Sequence, residues 1–241
     1  MSLLAVERIK LFSVRSTWWC MLLAIALPVA LSALVATNAD RIDVLSTQAG
    51  YQFGLMVVLV LAALSITTEY RFSTIRATFL AVPNRIVALT AKTALIAALA
   101  FVLGEVVAFG SWATAKVLRP EIALALEDSS TVRLVAGIGV VFAISAVLAV
   151  AVGALVRQTA GAVALLLVWS LLVEQLVLLI PNIGADINNW MPFVAADHFL
   201  KGGGPLPTDM PYGPWGGLAY FAAVTLGVWL VAAFVVRSRD A

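Results

Sequence analysis

Two acidic residues stand where acids are costly. Glu105 falls within the apolar run Thr93 to Ala115 and Glu174 within the run Gly161 to Ile180. A carboxylate at mid-bilayer costs about 2.5–3.5 kcal/mol on insertion scales, so neither is expected to face lipid. The interiors of the apolar runs offer no lysine or arginine as partner. Two readings follow: a carboxyl hydrogen-bonded to a neighbouring helix or facing a water-filled cleft, or one that lines a route across the membrane and recognises a polar or cationic part of a cargo. Glu174, beside Gln175, is the stronger candidate for the second. Asp197 and His198 are adjacent, but without a nucleophile in reach such a pair is weak evidence of catalysis. The chain has one cysteine, Cys20, and one histidine, and no HExxH or serine-elbow pattern. No catalytic residue and no metal site is expected.

The elements that must position these acids are read from composition. Of 241 residues, 63% are hydrophobic and 12% charged, with a mean hydropathy of +1.05. Soluble domains carry about twice that share of charge. An integral membrane protein is therefore expected, and a net charge of +2 spread between apolar blocks argues against nucleic acid as a partner. Runs of about 20 apolar residues span a bilayer core. Six are present: Trp18 to Thr37, Tyr51 to Thr68, Thr93 to Ala115, Val132 to Val156, Gly161 to Ile180, and Trp215 to Val236. The first lacks a convincing small-residue cleavage site and is expected to be a retained span rather than a signal peptide.

Basic residues set the expected orientation. With the amino terminus in the cytoplasm, ten fall inside (Arg8, Lys10, Arg15, Arg71, Arg76, Arg85, Lys92, Arg157, Arg237, Arg239) and five outside (Arg41, Lys116, Arg119, Arg133, Lys201). Both termini are expected inside. Two segments on that side are amphipathic. In the first, before span 1, Ala5, Val6, Ile9 and Phe12 share an arc. In the second, between spans 2 and 3, Phe72, Ile75, Phe79 and Val82 recur at helical spacing, Glu69, Ser73 and Arg76 fall opposite, and Pro83 ends the pattern. Both patterns fit helices lying at the membrane boundary among lipid headgroups. Outside, the stretch Pro181 to Pro214 is too long for a plain connection. Its Trp190, Phe193 and Phe199 need a surface to bury against.

The order Glu7, Lys10, Arg15, Ser16, Thr17, Trp18, then span 1, then Glu69, Tyr70, Arg71, Thr74, Pro83, Arg85 and Lys92 resembles the membrane subunit of ABC transporters of the ABC-2 permease type. The resemblance covers nearly the whole chain, as one domain over residues 1–241. In that family a glycine usually stands where this chain has Ser73. The resemblance implies an all-α integral membrane fold: six transmembrane helices, an N-terminal interfacial helix, a cytoplasmic coupling helix and an extracellular insert between spans 5 and 6. It implies that Glu69, Tyr70, Arg71, Ser73, Thr74 and Arg76 couple to an ATPase, and that the insert is a short re-entrant element capping the outer mouth. It also implies a bacterial plasma-membrane location and a second permease, identical or related.

No G-x-x-x-x-G-K-[ST] loop occurs in the chain, so ATP and Mg would be bound by a separate cytoplasmic P-loop subunit and no cofactor by this one. The expected function is the transmembrane part of an exporter for a lipid, drug or peptide. A proton-coupled secondary transporter using Glu105 or Glu174, and a noncatalytic membrane scaffold, are the alternatives.

Overall fold

The computed structural model describes residues 3–75, 84–122, 124–202 and 210–238, and among these every regular element is helical. Six helices are long and apolar enough to cross a membrane. A short helix α1 (Leu3–Phe12) precedes the first of them, α2 (Arg15–Asn38). A single turn, α3 (Val44–Thr47), is closed by a capping box between Asp43 and Ser46 and leads into α4 (Tyr51–Arg71). Asn84 then caps α5 (Arg85–Leu118) by accepting from the Ile86 and Val87 amides. Next comes α6 (Ser129–Val156). The fifth crossing is composite. Helix α7 (Thr159–Val168) passes into a π turn at Trp169–Val173, a helical turn α8 (Glu174–Leu176) and a 3₁₀ turn at Val177–Leu179. Two short helices, α9 (Gly184–Asn188) and α10 (Pro192–Lys201), come before the last crossing, α11 (Pro214–Ser238).

Every expected span is present, with ends within a few residues of the apolar runs, except that α5 begins eight residues earlier, at Arg85 rather than Thr93. Lys92, expected in a connection, is consequently a buried helical residue.

Helix α6 is the hub, packed against α4, α5 and α11. Lipid tails are as apolar as leucine, so helices in a bilayer associate through close backbone approach, and small residues permit it. A Cβ on Gly104 of α5 would lie 2.7 Å from the Cα of Gly139 on α6, so the two glycines mark the crossing point. Pro28 inside α2 cannot donate to the Ala24 carbonyl. A Cβ on Gly54 of α4 would stand 2.8 Å from that oxygen, which places the α2–α4 crossing at the proline. Ser32 of α2 donates to the Ser111 carbonyl of α5 at 2.8 Å, tying a third pair of helices.

Candidate functional site

Four charges meet where α1 crosses the ends of two membrane helices. Glu7 comes from α1, Glu69 from the last turn of α4 and Lys92 from the second turn of α5, and all three are buried. Lys92 pairs with Glu7 and, at 2.9 Å, with Glu69. Lys10, one turn along α1, reaches Glu7 at 2.9 Å and Glu69 at 3.2 Å. Two carboxylates and two ammonium groups cancel, which makes burial of Glu7, Glu69 and Lys92 tolerable. Desolvation would raise the Glu7 pKa. The charges and hydrogen bonds of Lys92 and Lys10 outweigh it, so the carboxyl titrates below its ordinary value. For Lys10 burial acts downward, and bonding to Glu7 and the charge of Glu69 prevail, so its pKa is raised.

The cluster forms one end of a cleft of about 330 Å³ between α1, α2, α4 and α5. Leu61, Leu64, Leu95 and Ile96 make its apolar wall, and Ser16, Thr17, Ser65 and Thr68 add hydroxyls. One oxygen of Glu69, Oε2, is buried and has no hydrogen-bond partner among the described residues.

This arrangement corrects the expected face of the segment after α4. Glu69 was expected to point away from the membrane and Phe72 to anchor the segment. Glu69 is only 7% exposed, whereas Phe72 is 67% exposed. The cause is a break in the helix. Ser73 adopts φ 58°, in the left-handed region, so the 3.6-residue period does not run through it. Ile75 is buried as expected. Thr74 donates to the Glu69 carbonyl at 3.4 Å, Arg71 lies over the Phe72 ring, and Tyr70 lies under the guanidinium of Arg157. Arg76 and the rest of the expected coupling helix, through Pro83, lie outside the described residues. In α1 the arc of Val6 and Ile9 is exposed while Glu7 and Leu11 face the bundle, as a helix on a membrane boundary requires.

At the other end of the bundle Glu174 is 1% exposed. Its carboxylate accepts from Trp169 Nε1 at 3.1 Å and from the Phe193 and Val194 amides at 3.0 Å each. Those amides belong to the first turn of α10, whose own N-cap residue, Met191, supplies no side-chain bond. Glu174 thus caps α10 from another element. Asn188 donates to the Glu174 carbonyl at 2.5 Å. Arg133 of α6 does the converse, donating from Nε to the Phe199 carbonyl at 2.8 Å and from a terminal nitrogen to the Gly202 carbonyl, at the C-terminal end of α10. Tyr51 hydrogen-bonds Asp197, which also pairs with Lys201 at 2.7 Å. His198 contacts the Tyr212 carbonyl rather than Asp197.

With its acceptors engaged and its side chain buried, Glu174 is tied to the α10 element. Glu105 does not join it. Its side chain lies over Gly139 at the α5–α6 crossing, and no hydrogen bond or ion pair engages it among the described residues. Among those residues no three His, Cys, Asp or Glu side chains gather as a metal would require. Reasoning from sequence missed Lys92, Glu7 and Arg133 as site residues. An acid and a lysine directly flanking spans 2 and 3, Glu69 and Lys92, are the available signal for the first cluster. A comparison with protein-family profiles finds no match to this chain, and a comparison with curated proteins finds none either.

Proposed function

We propose that the chain is the transmembrane subunit of an ATP-driven exporter of the ABC-2 permease type, working with a separate P-loop ATPase and a second permease. The reading places α1 and the α4–α5 connection in the cytoplasm of a bacterial cell and α10 outside. The observation that supports it best is the charge cluster. Lys92, Glu69 and Glu7 join the two helices on either side of the connection to α1, so a displacement of that connection is delivered to α1, α4 and α5 as one body. A coupling element requires such a rigid mount. The cargo is a hydrophobic or amphiphilic molecule, and Arg71, Ser73, Thr74 and Arg76 remain the residues proposed to meet the ATPase.

The test is purification from native membranes in mild detergent with identification of bound chains. A stoichiometric P-loop ATPase is expected, and its repeated absence overturns the reading. One observation favours proton-coupled transport as a second reading: Glu105 sits at mid-span with no partner among the described residues. That reading expects uptake or efflux to follow an imposed proton gradient without ATP, and Glu105→Gln to abolish it.

A further inference from the structure

The cleft beside α1 holds chemistry of both signs. Glu69 Oε2 is a buried acceptor without a partner among the described residues, on a side chain only 9% exposed that lines the cleft. An unmatched buried carboxylate oxygen carries a desolvation cost, which a donor entering the cleft would recover. Lys10, with a side chain 37% exposed, borders the same space and makes its longer contact, 3.2 Å, to Glu69. Beyond the charges the wall is apolar along Leu61, Leu64, Leu95 and Ile96. Trp18 and Trp19 are exposed at the start of α2, at the level where indole rings mark a membrane interface. The volume is at the small end for a ligand site. It suits a headgroup and the first methylenes rather than a whole lipid.

We propose that this cleft binds one phospholipid of the adjoining leaflet whose headgroup bears a primary ammonium, with the ammonium donating to Glu69 Oε2, the phosphate taking Lys10 and an acyl chain following the apolar wall. The charges stay balanced. The phosphate draws Lys10 from its longer contact with Glu69, the ammonium replaces it, and Lys92 keeps both carboxylates paired. A choline headgroup lacks N–H donors, and a glycerol headgroup lacks the cation, so the site discriminates by chemistry rather than by chain length. The inference goes beyond the exporter reading and does not rest on the ATPase.

Cys20, the chain's one cysteine, lines the cleft and is partly accessible, which supplies a probe in the native sequence. The full chain in dodecyl maltoside is mixed with phosphatidylethanolamine, phosphatidylcholine or phosphatidylglycerol of identical chains, and its modification by N-ethylmaleimide is followed by intact mass. With ethanolamine lipid at about ten times its dissociation constant, modification should slow about tenfold. The other two lipids should slow it far less. Equal protection by all three, or none by any, overturns the proposal. In a second arm Ser65→Trp fills the cleft without touching the four charges, and native mass spectrometry should show loss of the retained ethanolamine lipid at unchanged Tm. Retention of that lipid by a folded Ser65→Trp protein also overturns it, and if this variant does not accumulate the Cys20 measurement decides alone. Neither arm requires an ATPase, so failure here leaves the co-purification experiment untouched.

Discussion

The two ends of the bundle solve the same problem by different means. At the α1 end, side-chain charges neutralise one another: Lys92 and Lys10 lie between Glu7 and Glu69. At the α10 end, side-chain polar groups are set against backbone: Glu174 takes the amides at the start of α10 and Arg133 the carbonyls at its finish. Charge pairing among long side chains joins the three helices that carry them. Capping a helix from outside fixes both its ends in register. The α1 end is therefore three helices held together, and the α10 end a short element held at both its ends.

The comparison breaks most readily at Lys92. Lys92→Met leaves two buried carboxylates with only Lys10 between them. Removing one partner of a buried pair costs about 3–5 kcal/mol. Thermal unfolding in detergent should show a large fall in Tm, with α1, α4 and α5 all losing protection from hydrogen exchange. A fall confined to α1 would mean that the cluster does not join the helices.

At the opposite end the effect should be smaller and local. Glu174→Ala strips the acceptor from three donors, and leaving a buried donor unmatched costs about 1–3 kcal/mol. Faster exchange is expected at the Phe193 and Val194 amides, with α1 unaffected. Glu174→Gln keeps one carbonyl acceptor and should lose less. If alanine and glutamine variants exchange alike, or if α1 loosens too, the two ends are not independent.

A pH series sharpens the contrast. The folded pKa of Glu7 lies below its ordinary 4.5, so its contribution is present above pH 4.5 and is lost as pH falls through the lowered value. The folded pKa of Lys10 lies above its ordinary 10.5, so its contribution is present below pH 10.5 and is lost as pH rises through the raised value. Protection of α1 should be flat between those limits and fall outside them, measured by exchange corrected for the intrinsic rate. A decline between pH 5 and 9 would contradict the pairing.

The smallest effect is expected at Ser73. A residue other than glycine in the left-handed region carries a cost of about 1 kcal/mol, so Ser73→Gly should stabilise by up to that amount while leaving the ion cluster intact. A destabilised variant would show that the serine side chain, rather than the backbone, governs the turn.

The six crossings were legible because hydropathy averages over about 20 residues, and one misplaced charge hardly alters that average. Lys92 was not legible as a buried residue. Directly before an apolar run, a lysine looks the same at the end of a loop as inside the first turns of a helix, and only its acidic partners distinguish the two. Glu69 was assigned to the wrong face because the periodic reading assumed a continuous helix through residue 73, and a single left-handed residue has no hydropathic signature. For Glu174 the sequence carried half of the answer. The cost of burial required hydrogen bonds, but the donors are backbone amides 19 and 20 residues onward, and every residue except proline has one. Arg133 carries nothing in sequence that tells it apart from the other four basic residues expected outside.

The capping of α10 has a consequence for biogenesis. Ten residues are too few for a stable isolated helix, and α10 relies on groups at both of its ends. Those groups, Arg133 and Glu174, precede it in the chain, so both emerge from the ribosome ahead of residues 192–201. Synthesis in this order lets the segment emerge beside an acceptor and a donor already delivered with their crossings. A circular permutant that moved α10 ahead of α6 would have to produce the same helix with neither cap yet made, and its yield of inserted protein should fall even though its finished contacts are identical.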